Sequence, residues 1–360
     1  MAQEHPNDTD GPERSPMDQF SAHLDRGWDL IHRGDLSGAL MSAEKGLELD
    51  PQSPEAHNLV GFVRAAQGEP EEALEFYRQA IALDDTFVEA MLNAAEVLIH
   101  PLHEFDAAQE LVEEALELAE DDDEVADALL VSFDAQMHRG DQEAAGEIAA
   151  RLPQGPFENP RLDFMVGRAL FEVGQCAAAL ELLRRAAERE PDNGDVYYFL
   201  GMALEEQEDR EGATRAFLTA RALDLSLPEP RSALAEDQFL QRANQALLRL
   251  PAALRSPLER CLLVVSDAPG VELVADGVDP RSALVLDAIS EPGVEPAAIG
   301  RLFLYKRNIE RISEGVWQLE QEISDLIEAE LQALFPHLLP TPAEGTDGGG
   351  TAPSGSTQPD

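Results

Sequence analysis

Glycines recur along the first two thirds of this 360-residue chain with a dominant spacing of 34 residues. The glycines that mark the pattern are Gly34, Gly68, Gly140 and Gly174, and an alanine follows each of them by five positions. A second row of small residues precedes them, at Gly27, Gly61, Ala95, Gly167 and Gly201. Two helices approach closely only where the side chains between them are small. The pattern therefore predicts successive pairs of helices, each joined by a tight turn at its glycine.

This pattern resembles the tetratricopeptide repeat, a helical hairpin of 34 residues. The resemblance is clearest in LVGFVRAAQGEPEEALEFYRQAIALD, which carries Gly61, Ala73, Tyr77 and Ala80 at the characteristic positions. It implies a mainly α-helical solenoid of about six units, at 20–53, 54–87, 88–122, 126–159, 160–193 and 194–227. Units three and four depart from the pattern. HPLHEF replaces the glycine turn of the third, and the fourth lacks the downstream aromatic residue and proline.

From about Phe239 the hairpin pattern gives way to an α+β order. DQFLQRANQALLRLP predicts a helix, and CLLVVSD, RSALVLDA and RLFLYKR predict three short strands. EGVWQLEQEISDLIEAELQALF then places apolar residues at helical spacing and predicts a final helix. A helix, three strands and a helix predict a small α+β domain.

The succession of VVSDAPG, GVDPRSALVLDA and RLFLYKRNIER resembles the minimal bacterial zincin-type metallopeptidase family. The final helix of that family carries His-Glu-x-x-His, in which two imidazoles bind Zn²⁺ and the glutamate takes a proton from the metal-bound water. The corresponding residues here are Ala329, Glu330 and Ala333. Methyl groups donate no electron pair to a metal. The resemblance therefore implies a domain without catalytic residues, in which Glu330 is the remnant of the general base.

Two alternatives to a non-catalytic second domain stay open. One is a zinc metallopeptidase with unconventional ligands drawn from Asp325, Glu330 and His337, to which the repeats recruit substrate. Zinc needs three convergent protein ligands, and Pro336 is expected to disrupt the helix before His337. The other is that the domain covers the last apolar face of the solenoid, as every repeat array requires.

The charge balance limits the partners of the chain. With 26 basic and 71 acidic residues the formal charge is 26 − 71 = −45. Such a charge repels nucleic-acid phosphates and anionic membrane surfaces, so neither is expected as a partner. Between Gln79 and His138 there are 17 acidic residues and no lysine or arginine. We expect a solvated acidic face there, or a docking surface for a protein with a basic surface.

Other residues that carry chemistry form weaker patterns. His100, His103 and Glu104 lie close together in HPLHE, but Pro101 interrupts the helix between the histidines, so a loop insertion is expected rather than a metal site. Cys176 and Cys261 are too few for a disulfide framework. No cofactor is expected. A cytoplasmic location is expected, because the cysteines are few and the N-terminus lacks the pattern of a secretory signal.

The resemblance to tetratricopeptide repeats implies partner binding on the first helix of each unit. The positions that line the groove in that family correspond here to Trp28, Ile31, Phe62, Leu92, Met137, Arg161, Phe164, Arg168, Phe171, Tyr198 and Met202. Any of them is about as apt to pack against a neighbouring helix as to face a partner. The expected domains are a disordered N-terminus at 1–16, a solenoid at 17–230, the α+β domain at 231–340 and a disordered tail at 341–360. The expected function is a non-catalytic adaptor that binds a protein or peptide.

Overall fold

The structure is a computed structural model, and it describes residues 15–229, 233–289, 298–313, 315 and 317–335. The segments that the sequence predicts to be disordered lie outside these residues, apart from Ser15 and Pro16. The chain divides into two compact units, Met1–Ala213 and Thr214–Asp360. The boundary predicted between residues 230 and 231 stays a prediction.

Six successive helical hairpins fill the described residues up to the end of the twelfth helix, as the glycine period predicts. The helices are α1 Pro16–His32, α2 Leu36–Leu49, α3 Pro54–Ala66, α4 Pro70–Leu83, α5 Val88–Ile99, α6 Phe105–Leu118, α7 Asp122–Arg139, α8 Gln142–Ala149, α9 Pro160–Glu172, α10 Cys176–Arg189, α11 Gly194–Glu206 and α12 Arg210–Ser226. Odd-numbered helices are the first helices of their hairpins. Among the described residues, no helix is long and apolar enough to cross a membrane.

Several first helices begin with a polar capping residue followed by proline. Ser53 Oγ accepts a hydrogen bond from the Ala56 backbone N–H at 3.0 Å, and Asn159 Oδ1 accepts one from Arg161 N–H at 3.1 Å. These bonds satisfy amide groups that have no partner within the helix. The proline after the cap favours the first helical turn through its fixed φ.

The turn glycines adopt a left-handed backbone conformation that other residues rarely occupy. Their φ angles are 75° at Gly34, 79° at Gly68, 75° at Gly140 and 78° at Gly174. In the third and sixth hairpins the left-handed residue is instead His103, with φ 56°, or Glu208, with φ 60°. A side chain at such a position costs about 1–2 kcal/mol. The hairpin geometry is thus kept in these two repeats without the glycine.

The close helix approach predicted from the small residues is confirmed. A Cβ atom added at Gly61 would lie 2.7 Å from the Tyr77 ring and 3.2 Å from the Ala73 carbonyl oxygen. At Gly27 it would lie 2.7 Å from Leu59, and Tyr77 and Leu59 are both buried. Only a hydrogen fits at these two crossings.

The fourth hairpin is irregular, in line with the departures of its sequence. Its first helix has 18 residues, its second has only eight, and residues 150–159 form a connection without a helix. Two arginines of α10 bind this connection, because Arg185 donates to the Gln154 carbonyl at 2.8 Å and Arg189 to the Phe157 carbonyl at 2.9 Å. Both arginines also bind the carboxylate of Asp163, which is fully buried, at 2.7 and 2.6 Å. Contacts from these arginine side chains therefore hold the connection that follows the short second helix.

The second unit contains a three-stranded sheet between helices. Its elements after α12 are α13 Glu236–Arg249, α14 Ala252–Arg255, a 3-10 turn Ser256–Leu258, β1 Leu262–Ser266, α15 Val271–Ala275, β2 Leu284–Ile289, β3 Ala298–Tyr305, α16 Lys306–Ile312 and α17 Leu319–Leu334. The strand order is β1-β3-β2, with β1 parallel and β2 antiparallel to β3. The three predicted strands and the two long predicted helices are thus confirmed, and α13 packs against α17 over one apolar core.

Candidate peptide-binding groove

First helices of three successive hairpins enclose a cavity of about 740 Å³ in the first unit. It lies between α5, α7 and α9, and one residue of α3 completes the wall. The residues that line it are Ala65, Val88, Glu89, Leu92, Asn93, Glu96, Val97, Ile99, His100, Glu124, Asp127, Leu130, Val131, Phe133, Asp134, Met165, Arg168 and Ala169. A repeat array presents its first helices side by side, so one polar row of each helix contributes to a continuous groove.

Polar side chains of neighbouring first helices bind one another beside this cavity. Asn58 of α3 is buried and donates to the Glu89 carboxylate of α5 at 3.0 Å. Asn93, one turn further along α5, donates to the Asn58 side-chain oxygen at 3.0 Å. These bonds satisfy a buried amide and fix the positions of α3 and α5 at one end of the groove.

The carboxylates of the groove are desolvated by its walls. Burial, followed by the charge of Asp123, raises the pKa of Asp127 to about 6. Burial and the charge of Asp134 raise the pKa of Glu96, although part of the Glu96 side chain is open to water. The cavity wall excludes bulk water from one side of the Glu96 carboxyl, which disfavours its charged form. Both shifts show that negative charge is incompletely compensated here.

Two arginines of α9 are the cationic groups on this side of the groove. Burial raises the pKa of both Asp127 and Glu172, and the charge of Arg161 offsets part of the rise at Asp127 while that of Arg168 offsets part of the rise at Glu172. Arg168 Nε lies 3.3 Å from Glu172, yet it is buried and has no hydrogen-bond partner among the described residues. The ion pair with Glu172 holds the Arg168 side chain in the lining of the cavity.

Three side chains that bind metals in other proteins meet at one end of the groove. His100 Nε2 lies 2.7 Å from Asp134 Oδ2, and His138 Nε2 lies 3.9 Å from Asp134 Oδ1. The sequence analysis grouped His100 with His103 and Glu104, and the structure brings it to Asp134 and His138 instead. The sequence could have revealed the contact between His100 and Asp134, because Asp134 follows His100 by 34 residues, the length of one repeat.

Two of the side chains predicted to bind a partner, Leu92 and Arg168, line this cavity. Trp28 packs edge-to-face on Phe62, with 5.2 Å between the ring centroids. Trp28 and Ile31 also pack against a buried apolar cluster that includes Leu59 and Val63. Ile31, Met137 and Met202 are half-buried, whereas Arg161 is exposed.

The aromatic residues of the fifth and sixth hairpins gather around one ring that the sequence analysis did not single out. Phe164, Phe171 and Tyr198 each pack on Phe199, with centroid separations of 5.8, 6.0 and 5.9 Å. Phe164 is buried and therefore has little surface for a partner, while Phe171 and Tyr198 stay half-buried. Phe199 was missed because the family positions used for the prediction exclude it.

In the second unit, Ala329, Glu330 and Ala333 lie on the exposed face of α17. The opposite face holds Ile323, Ile327 and Leu331, which are fully buried. Asp325, a candidate unconventional ligand, is also exposed, and its carboxylate accepts a hydrogen bond from Gln321 at 2.8 Å. His337, the other candidate, lies outside the described residues. Among the described residues, the group of three side chains that could together hold a metal ion is His100, Asp134 and His138, in the first unit.

One family model of the tetratricopeptide repeat matches residues 24–86 and 164–228, and a second matches residues 64–130. The matched hairpins are tetratricopeptide repeats (TPRs). The models leave out 131–163, which contains the short α8 and the irregular connection after it. Repeat four is therefore divergent in sequence as well as in structure.

A relative of known identity contains a similar stretch. The type IV pilus assembly protein PilF of Pseudomonas aeruginosa is 32% identical over 92 residues, which are 26% of this chain and 36% of PilF. The match thus spans about a third of that relative.

Solved TPR structures resemble the chain more distantly. The P. aeruginosa PilF structure has 19% identity and a TM-score of 0.47, and it covers 59% of this chain and 96% of its own. PilW, a type IV pilus biogenesis factor, has 16% identity and a TM-score of 0.44 over 56% of this chain and 92% of its own. YrrB, a TPR protein with an unusual peptide-binding site, has 20% identity and a TM-score of 0.36 over 51% of this chain and 93% of its own.

Proposed function

We propose that the chain is a non-catalytic adaptor whose TPR groove binds an extended protein segment with basic side chains. The observation that carries the proposal is the cavity between α5, α7 and α9, which is lined by Glu96, Asp127 and Asp134. Burial, and then neighbouring acidic groups, raise the pKa values of Glu96 and Asp127, and a lysine or arginine from a partner would compensate these carboxylates. Leu92 and Met165 offer apolar contacts between these carboxylates.

The type of segment follows from the groove. An extended chain presents every second side chain to one face, so a segment with basic and apolar residues in turn at every second position would meet both the carboxylates and the apolar residues of the groove. The 17 acidic residues between Gln79 and His138 provide long-range attraction, which speeds association and weakens as salt is added. Nucleic acid and anionic membranes are not proposed as partners, because the net charge of −45 repels both.

Binding to a short labelled peptide tests this function. The probe carries arginine and leucine in turn at every second position with serine between them, and the comparison peptide carries glutamate in place of arginine. We expect the first to bind the full chain with an affinity that falls as salt rises, and the second not to bind. The variant Glu96→Gln/Asp127→Asn should bind the first peptide at least about tenfold more weakly, because it removes two groove carboxylates that would pair with the arginines.

The matched control is Glu114→Gln/Glu117→Gln, which removes the same charge from exposed positions of α6. Its affinity should change by less than about threefold, since exposed charges act mainly through the screened field. Equal losses in both double variants would show that net charge alone attracts the peptide, and would contradict binding in the groove.

We further propose that the second unit is a metallopeptidase-like domain without peptidase activity. Two observations support this proposal: the helix, three-strand and helix order, and the methyl groups of Ala329 and Ala333 where the resemblance implies imidazoles. The competing function, a zinc peptidase with unconventional ligands, predicts peptide cleavage that chelators abolish and that Glu330→Gln removes. Absence of such cleavage across a mixed peptide library supports the adaptor.

A cytoplasmic location is part of the same proposal. Cys176 and Cys261 are both free thiols. Burial raises the pKa of the Cys261 thiol, which makes it less reactive.

The domain limits 17–230 and 231–340 are proposed together with this function, and truncation after residue 230 tests whether the TPR array is stable without the second domain.

A further inference from the structure

His100, Asp134 and His138 place three metal-binding atoms within 4.8 Å of one another. The imidazole rings of His100 and His138 meet edge-to-face with 3.9 Å between their centroids. The carboxylate of Asp134 lies beside both rings, with Oδ2 nearest His100 Nε2 and Oδ1 nearest His138 Nε2. Two neutral imidazoles and one carboxylate form a donor set that suits zinc and related divalent transition ions.

The repeat architecture explains why these residues meet. His100 is the residue at which α5 ends, and its backbone N–H donates to the Glu96 carbonyl at 2.8 Å. Asp134 and His138 are four residues apart on α7, so their side chains share one helical face. Because α5 and α7 are first helices of successive repeats, residues 34 positions apart become neighbours.

The distances suit a metal ion after small side-chain rotations. With ligands at about 2.0–2.2 Å from zinc, tetrahedral donor atoms stand roughly 3.3–3.6 Å apart. The present separations are 2.7 Å from Asp134 Oδ2 to His100 Nε2 and 3.9 Å from Asp134 Oδ1 to His138 Nε2, so both imidazoles must turn toward one carboxylate oxygen for an ion to bind. Between 40% and 47% of each side chain is exposed, which leaves a path for the ion and room for a water ligand.

We propose that His100, Asp134 and His138 bind one divalent transition metal ion of the Zn²⁺ class at the end of the TPR groove. The surrounding charge favours a cation, because Glu96 on α5 and Glu172 on α9 lie close enough to interact with Asp134. The ion would join α5 to α7 and leave one position for water or for a donor from a bound segment. This inference goes beyond the adaptor function, which requires only the carboxylates and the apolar wall.

A hydrogen bond between His100 and Asp134 accounts for their contact without a metal. The two interpretations differ in one respect. The hydrogen-bonded pair needs no third residue, whereas a metal site loses affinity when any of its three ligands is removed. His103 provides a matched control, since it lies three residues from His100 in the same connection and is outside the cluster.

Titration of the full-length apo protein with Co²⁺, followed by its visible ligand-field absorption, tests the proposal. We expect one equivalent to bind with a tetrahedral spectrum and Zn²⁺ to displace it. His100→Gln, Asp134→Ala and His138→Gln should each weaken binding at least about tenfold, because loss of even an outer partner costs 10–100-fold. His103→Gln should bind as the wild type does.

Two measurements keep the outcome decisive. Circular dichroism of each variant verifies that the helices are intact, and a variant that has unfolded is replaced by His138→Asn or His100→Asn. Thermal unfolding with and without Zn²⁺ should show a rise in Tm for the wild type and His103→Gln alone. Absence of saturable Co²⁺ binding, or equal binding by His100→Gln and His103→Gln, would overturn the proposal.

Discussion

His100 Nε2 lies 2.7 Å from Asp134 Oδ2, and the two residues are one repeat of 34 positions apart in the sequence. The same stacking brings Asn58 to Glu89 and Asn93 of the next first helix. In this solenoid, residues about one repeat apart on neighbouring first helices therefore meet along the groove. The acidic centre of the sequence becomes a wall of neighbouring carboxylates, on which the proposed binding of a basic segment depends.

Asp163 should be essential for the stability of the fourth and fifth repeats. Its buried carboxylate binds Arg185 and Arg189, which also bind carbonyl groups of the irregular connection. Asp163→Asn leaves two arginines without their counter-charge and should lower the free energy of unfolding by about 3–5 kcal/mol. Urea denaturation measures the loss.

Glu181→Gln is the control for that prediction. It removes the partner of Arg184, at 3.2 Å, from an exposed pair on the same helix, α10. The cost should stay below about 1 kcal/mol, as for other surface ion pairs. Similar losses in the two variants would mean that the buried cluster contributes no more than a surface pair.

Gly61 and Gly146 should respond in opposite directions to alanine. A Cβ at Gly61 collides with the buried ring of Tyr77, so Gly61→Ala should destabilise the protein by about 1–3 kcal/mol. At Gly146, inside α8, a Cβ meets nothing within 4 Å. Gly146→Ala should therefore stabilise by about 0.5–1 kcal/mol, the usual gain in a helix interior. Thermal unfolding of both variants checks the signs, and a stabilised Gly61→Ala would contradict the close approach of α3 and α4.

Glu208 should gain stability from replacement by glycine. It has φ 60° at the turn between α11 and α12, where four of the other five repeats use glycine, at Gly34, Gly68, Gly140 and Gly174. Glu208→Gly should raise the free energy of unfolding by about 0.5–1 kcal/mol, since relief of the strain exceeds the added entropy of the unfolded chain. Gly34→Ala should lower it by about 1 kcal/mol. A loss of stability in Glu208→Gly would show that its side chain makes a compensating contact.

Asp127 should make stability depend on pH. Its pKa in the folded protein is raised to about 6 by burial, then by Asp123, Asp121 and Glu124, against the charge of Arg161. A carboxyl with a raised folded pKa contributes stability below its unfolded pKa and loses it as the pH rises through about 6. Asp127→Asn should therefore gain stability relative to the wild type between about pH 5 and pH 7. Urea denaturation at both pH values checks the sign, and an exposed-site variant, Glu117→Gln, should show a smaller change.

Much of the fold follows from local signals in the sequence. The glycine period predicts the hairpins, because a residue without a Cβ favours a left-handed turn and permits a close helix crossing. The third and sixth hairpins form with His103 and Glu208 at the turn instead. In repeat four the sequence predicts the turn at Gly140, where α7 ends, but neither the early end of α8 nor the connection that follows it. The connection after α8 depends on Arg185 and Arg189, which follow it by about 30 residues and whose partners no local pattern reveals.

The candidate site was less accessible to sequence reasoning. The acidic stretch was evident, but which carboxylates face the groove depends on helix rotation, and only the structure groups Glu96 with Asp127 and Asp134. The aromatic positions were chosen by family register, and several of them pack on neighbouring rings such as Phe199. Burial of an aromatic residue depends on the adjacent repeat, which the repeat's own sequence does not specify.

Hydrogen exchange of the full chain with the arginine–leucine peptide tests the central claim most directly. The account predicts that the peptide slows amide exchange in the first helices α5, α7 and α9, whose side chains line the cavity. The Glu96→Gln/Asp127→Asn variant should lose this protection, and the Glu114→Gln/Glu117→Gln variant should keep it. Protection confined to the second helices α4, α6 and α8, or to the second unit, would contradict an adaptor that binds its partner in the TPR groove.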